Sequence, residues 1–241
     1  MSVFKARGLV LNERDAGESD KIVTLLLKEY GRLTVSARGA RKPKSKFMAG
    51  AQLFTYSDFV IFKGKNFHAL AQVDVIENFY ALRGDYARLC YGHYFLELCD
   101  KTILESMACD ALLRLLLLCL SALNKGRSPS LTARVFEIKF FQWQGLAPET
   151  EICSNCGGAL TEPIYFSFGG ALCENCRRPS AVRLSPAAAY AIRYVLAAPL
   201  NRLFQFDLAD SALTELKMAA RLFLRGHFDL TLKSLETLEQ F

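Results

Sequence analysis

The sequence predicts a two-part α+β protein: a small all-β barrel, residues 1–79, then an all-α domain, residues 80–241, with a four-cysteine unit set into it at residues 150–180. Three observations carry this. Strand-like alternation fills the first 79 residues and gives way to apolar spacings of three and four from Tyr80 onward. Of the four connections between the predicted strands, only Gly39 to Gln52 is long. Two Cys-x2-Cys pairs, Cys153/Cys156 and Cys173/Cys176, stand between two groups of helical pattern.

Five strands are read in the first part: Phe4 to Asn12, Lys21 to Lys28, Arg32 to Arg38, Leu53 to Lys63 and Phe67 to Ile76. Each is rich in Val, Ile, Leu, Phe or Thr and bounded by turn residues. Lys63-Gly64-Lys65-Asn66 makes a hairpin tip with two lysines. A sandwich would want about seven strands, so five with one long third connection fit an OB-type barrel, a fold that binds oligonucleotides across strands 2 and 3 and the adjoining loops.

Charge points to the same place. The chain has 241 residues and a net charge of +6, and 51% of its residues are hydrophobic, enough to bury real cores. Residues 1–80 hold 13 Lys and Arg against 8 Asp and Glu, and the remainder is close to neutral. Between Glu29 and Asp58 there is no acid, while Arg32, Arg38, Arg41, Lys42, Lys44 and Lys46 all fall there. On strand 3, Leu33, Val35 and Ala37 share one face, and Arg32, Thr34, Ser36 and Arg38 share the other. Residues 39–46 read as a flexible basic arm continuing the strand. Such a patch suits a polyanion. The turn between strands 1 and 2 is acidic instead, with Glu13, Asp15, Glu18 and Asp20, which shifts the expected surface toward strand 3, the arm and the Lys63/Lys65 hairpin. Tyr56, Phe62 and Phe67 could stack on bases or belong to the core.

Helices are expected from Tyr80 to about Ser106, Ala111 to Leu123, Leu131 to Gln144, Pro186 to about Ala198, Leu208 to Leu224 and Asp229 to Glu239. Ser128-Pro129 and Ser185-Pro186 are start signals. His68, His93 and His227 are isolated from one another, and no acid/base constellation is apparent. The apolar run Ala111 to Leu123 is too short to span a bilayer, which takes about 20 residues. No secretory leader is read in the first residues, and the expected location is the cytoplasm.

Sixteen residues separate the two cysteine pairs, the spacing of a zinc ribbon. Two residues between thiolates let both sulfurs reach one tetrahedral ion, and four thiolates leave no open position, so the expected Zn2+ is structural. Ile164, Phe166 and Phe168 alternate up to Gly169-Gly170 as a hairpin returning Cys173 to Cys156.

With these residues laid out, the chain resembles the RecO family of DNA repair and recombination mediators. The resemblance rests on Gly8-Leu9-Val10-Leu11 with Gly17-Glu18-Ser19-Asp20-Lys21, on Glu29-Tyr30-Gly31-Arg32-Leu33, and on Ala37-Arg38-Gly39-Ala40-Arg41-Lys42-Pro43-Lys44-Ser45. Tyr94-Phe95-Leu96-Glu97-Leu98 and the Cys153 to Cys176 unit extend it downstream. It implies activity without bond chemistry: binding of single- and double-stranded DNA, annealing of strands coated with single-strand binding protein, and cooperation with RecR in loading RecA, on the bacterial nucleoid. Arg32, Arg38, Arg41, Lys42, Lys44 and Lys46, with Lys63 and Lys65 in support, are the expected phosphate contacts. The helical domain would receive the acidic tail of single-strand binding protein, with Arg193, Arg202, Lys217, Arg221 and Arg225 as candidates. Two other classes remain: a passive binder of single-stranded DNA or RNA, and a metal-dependent nuclease, for which no carboxylate cluster is visible.

Overall fold

A computed structural model describes residues 2–64, 67–105 and 107–238. Lys65 and the far ends of two expected helices, Ser106 and Glu239, lie outside the described residues. The chain divides into two compact units, residues 1–125 with 232–241, and residues 126–231. The sequence reading places a boundary at 79/80 instead, with all six helices in one domain.

The first unit holds β1 (Ser2–Ala16), β2 (Asp20–Leu27), β3 (Gly31–Ala37), β4 (Tyr56–Lys63) and β5 (His68–Glu77). They form a closed ring in the order β1-β2-β3-β5-β4, with β1 paired to both β2 and β4. Every pairing is antiparallel except β3 with β5, which run parallel through Val35↔His68 and Ser36↔Ala69. Val10, Val23, Leu25, Leu27, Val35, Phe59, Ile61 and Leu70 fill the interior, the inward half of each period-2 pattern.

The segment between β3 and β4 departs from the expected flexible arm. It is folded as successive tight turns, with Lys42 N donating to Gly39 O (3.1 Å), Ser45 N to Lys42 O (2.9 Å) and Met48 N to Ser45 O (3.2 Å). Ala40, Phe47 and Ala51 from this segment belong to the barrel core. The cations of the arm alternate with small and apolar residues, and those residues give the turns something to bury.

Three helices complete this unit: α1 (Tyr86–Thr102), α2 (Asp110–Asn124) and α6 (Lys233–Leu238). The expected uninterrupted helix from Tyr80 breaks early. A 3-10 turn covers Tyr80–Gly84, and the Asp85 side chain then caps α1 by accepting from Arg88 N at 3.1 Å. Asp85 prefers this role to a place inside a helix because its carboxylate competes for backbone N–H groups. Gly31, at φ 66°, faces Met107, whose carbonyl would lie 2.0 Å from any Cβ there, so the β2–β3 turn requires glycine. α6 starts at Lys233, four residues later than expected, where Lys233 N and Ser234 N both donate to the Glu97 carboxylate of α1.

The second unit holds α3 (Pro129–Trp143), α4 (Pro186–Ala197) and α5 (Asp210–His227) around a small sheet of β6 (Ile164–Ser167), β7 (Gly170–Leu172) and β8 (Val182–Leu184). Ser128 and Ser185 cap α3 and α4 by accepting from Leu131 N and Ala188 N, each at 3.3 Å, with Pro129 and Pro186 in the first turn as expected. The core is aromatic: Phe141 meets Phe223 at 4.7 Å between ring centres, and Phe166 of the sheet meets Phe223 at 6.0 Å. Inside it, Arg134 and Glu137 form a buried ion pair at 2.9 Å on one face of α3.

Candidate nucleic-acid interface and metal centre

The expected basic surface sorts into two groups. Arg32 is committed to the fold: Nε donates to Asp100 of α1 at 2.8 Å, and Nη1 lies 3.4 Å from Glu105. The β2–β3 face is only partly open, because α2 packs against β2. Thr24 and Leu26 point outward from the barrel yet are buried, leaving Thr34 and Arg38 exposed toward the far end of β3. Arg41 is partly committed, pairing with Asp15 at 3.3 Å and donating to Gly17 O at 3.2 Å. Lys46 donates to Ala71 O at 2.7 Å and lies over the Phe47 ring at 4.9 Å.

Arg38, Lys42, Lys44 and Lys63 are exposed and have no carboxylate partner among the described residues. Three of the four lie within seven residues at the β3 end. Because the segment is folded rather than loose, ordering these cations around a polyanion costs less conformational entropy.

The acids of the β1–β2 turn are the counterpart of this arrangement. Asp20 accepts from Gly39 N at 2.7 Å, Ser19 O accepts from Arg41 N at 2.9 Å, Asp15 pairs with Arg41, and Glu13 pairs with Lys21. Asp20, Asp15 and the Ser19 carbonyl hold the basic segment in place, while the Glu13–Lys21 pair lies within the barrel. The sequence signal was an acidic turn and a basic arm, each flanked by glycine, but nothing in it fixed their pairing.

At the cysteine unit, one sulfur from each of Cys153, Cys156, Cys173 and Cys176 lies within 4.8 Å of the others. Cys156 and Cys173 Sγ are 3.9 Å apart. A tetrahedral ion with metal–sulfur bonds of about 2.3 Å separates its sulfurs by about 3.8 Å, so the donor set fits one metal ion. Each knuckle is a tight turn, with Gly157 N donating to Cys153 O at 2.8 Å, Gly157 at φ 71°, and Cys176 N donating to Cys173 O at 3.1 Å. Cys173 N points at Cys153 Sγ (3.5 Å) and Asn155 Nδ2 at Cys176 Sγ (3.4 Å), the N–H···S contacts that orient thiolate ligands. Burial pushes the Cys153 thiol up, but the N–H groups of Cys173, Cys156 and Asn155 outweigh this and bring it down to about 6. Cys176 is drawn down by Asn155 and pushed up more by Cys156 and Cys173, to about 11.

The hairpin between the knuckles is β6–β7, with Phe166↔Ala171 and Ser167↔Gly170 in register. Ile164 and Phe166 are buried as the alternation implied, whereas Phe168 is exposed at the tip. β8 was missed: Val182-Arg183-Leu184 pairs with β6 and is too short to signal alternation. His227 Nε2 donates to Phe168 O at 2.7 Å, so this histidine holds the hairpin. Among the arginines considered for an acidic peptide, Arg193 donates to Thr150 O at 3.1 Å, and Arg225 is exposed.

The described residues thus hold a closed five-stranded barrel that carries exposed cations without a carboxylate partner among them, and a second unit with four cysteines grouped to fit one metal ion. Comparison with known proteins makes this specific. Residues 1–79 match the model described as Recombination protein O N terminal, and residues 83–236 match Recombination protein O C terminal. The chain is 37% identical to a DNA repair protein RecO of Acetivibrio thermocellus, over 95% of this chain and 93% of that one. It is 33% identical to the one of Halalkalibacterium halodurans, over 98% and 94%, and 34% identical to the one of Pelotomaculum thermopropionicum, over 100% and 95%. The chain belongs to the RecO family of DNA repair proteins, and a role in recombination and repair goes with it. Among the described residues no helix is long and apolar enough to cross a membrane.

Proposed function

We propose that this protein is a non-catalytic mediator of recombinational repair that binds DNA and anneals complementary strands, acting with RecR and single-strand binding protein to promote RecA loading. The observation that carries the reading is the group Arg38, Lys42 and Lys44: three exposed cations without a carboxylate partner among the described residues, on a folded segment, in a chain of the RecO family. The ring order of the strands, with β3 and β5 parallel, supports an OB-type barrel. Two DNA strands repel each other, and cations that hold phosphates lower the cost of bringing them together while releasing counterions. Lys46 and Lys63 join the three, Lys65 is added from the sequence alone, and Arg41 contributes the part of its charge that Asp15 does not take. Arg32 acts instead by fixing β3 to α1. In this reading residues 1–79 are the DNA-binding part and 80–241 the part carrying a structural Zn2+ on Cys153, Cys156, Cys173 and Cys176. The acidic tail of single-strand binding protein is assigned to that second part, and the protein works at the nucleoid in the cytoplasm.

The test is annealing of complementary fluorescent oligonucleotides precoated with single-strand binding protein. The protein should accelerate pairing, less so as salt rises. The combined Arg38→Ala, Lys42→Ala and Lys44→Ala variant should lose most of the acceleration and flatten the salt dependence of binding by roughly two to three units of slope. Binding without acceleration by the unaltered protein moves it to the class of passive single-strand binders.

A further inference from the structure

Resting on that reading of the barrel as the DNA-binding part, we propose that Phe62 and Phe67 form a platform on which unpaired bases stack, so that the site selects single-stranded over double-stranded DNA. Phe67 is 84% exposed and Phe62 42%. A single exposed apolar side chain is ordinary, but Phe62 is paired in register with Val3, itself 48% exposed, and Phe67 adjoins the same hairpin, and it is a contiguous apolar patch that calls for a partner.

Strand register places Phe62 on the outside of the barrel, and Phe67 adjoins the start of the partner strand. Ile61 pairs with Leu70, and both are core residues, so the next pair, Phe62↔Ala69, faces outward. Phe67 lies one residue before β5 begins at His68, and continuing the alternation of that strand puts it on the outward side with Ala69, toward the end of the hairpin that holds Phe62. The outward row continues across the barrel as Ser36↔Ala69 and Val3↔Phe62.

The ground between the rings and the cations is low. Along β3 the outward residues are Thr34, Ser36 and Arg38, and beside them Ala69 and Ala71 offer only methyl groups. Lys46 reaches Ala71 O, which fixes the basic segment at the far end of this floor. From Phe67 to Ala71 the strand covers about 13 Å, the length of about four stacked nucleotides. Lys63 adjoins Phe62 at the near end. A single strand laid along the floor puts phosphates on the cations and bases on the rings. In a duplex the base faces are already stacked on each other and give the rings nothing.

The experiment measures binding of three probes of equal length by fluorescence anisotropy at fixed salt: a single-stranded oligonucleotide, the same strand made abasic, and a duplex. Phe67→Ala should weaken binding of the first by roughly fivefold or more, since a stacked base contributes that much or above, and leave the other two unchanged. Phe67→Trp should restore it, and Phe62→Ala should act in the same direction. Because Phe67 is exposed, its alanine variant should melt where the unaltered protein does, which checks the fold. Equal losses on all three probes, or no loss on the single strand, overturn the platform. The Arg38, Lys42 and Lys44 variant separates the two ideas: if it weakens all probes while Phe67→Ala weakens none, the DNA surface stands and the platform falls. If Phe67→Ala acts selectively while the cation variant binds normally, the platform stands and the cationic surface falls.

Discussion

The Asp20 carboxylate accepts a hydrogen bond from Gly39 N at 2.7 Å, joining the acidic β1–β2 turn to the start of the basic segment. A turn whose charge looks opposed to DNA binding is what holds the cations in one arrangement. Asp20→Ala should therefore cost about 1–2 kcal/mol and make the bonds after Arg41, Lys44 and Lys46 more open to trypsin, read as a cleavage rate under native conditions. Unchanged cleavage would mean that the core residues alone hold the segment.

Those core residues should carry the larger share. Phe47 is 6% exposed and sits in the barrel interior. Phe47→Ala removes that ring and leaves a cavity, with an expected cost of about 3 kcal/mol, measured by urea denaturation. A loss under about 1 kcal/mol would show that the segment collapses onto the barrel without it.

Arg32 and Arg38 should behave oppositely although the sequence alternation assigns them to one face. Arg32→Ala leaves Asp100, whose side chain is 9% exposed, without its arginine, and should lower stability by about 1–2 kcal/mol while DNA affinity keeps its salt slope. Arg38→Ala should leave the melting temperature where it is and reduce the slope by about one unit. A reversal of the two outcomes would reassign the interface.

Cys153→Ser should abolish metal binding, with one ion per chain in the unaltered protein falling to none by atomic emission. Removal of the ion by a chelator should lower the melting transition of the second unit, since both knuckles and the β6–β7 hairpin are organised around the four sulfurs. Acid should release the metal as the thiolates take up protons, a process readable with a chromogenic chelator. Retention of a full ion by the serine variant would mean that another group completes the site.

Stability should fall on mild acidification partly through His93. Burial holds its pKa below the usual 6.5, with Glu97 opposing this and Arg83 reinforcing it. The unfolded chain takes up this proton near 6.5 and the folded protein only at lower pH. Between the two values the unfolded state binds more protons, so stability drops as the pH falls through that window. His93→Gln should flatten this part of a plot of unfolding free energy against pH. An unaltered slope would place the proton uptake elsewhere.

What the sequence determined by itself was local. Alternation of Leu33, Val35 and Ala37 specified a half-buried strand, because a period of two leaves no other face for them. Ser128-Pro129 and Ser185-Pro186 marked helix starts, since serine caps and proline needs no N–H there. The Cys153, Cys156, Cys173 and Cys176 spacing specified a four-sulfur cluster, because two residues per knuckle fix the reach of each sulfur. The tertiary structure alone decided which charges are free. Arg32 and Arg38 are indistinguishable by pattern, and only the approach of Asp100 from a helix 68 residues away separates them. It also decided that the basic arm is folded, that the last helix returns to Glu97 of α1, and that Phe67 stays in water while Phe59 is core. Ion pairing and burial depend on what arrives from distant parts of the chain, and spacing within one segment carries no information about that.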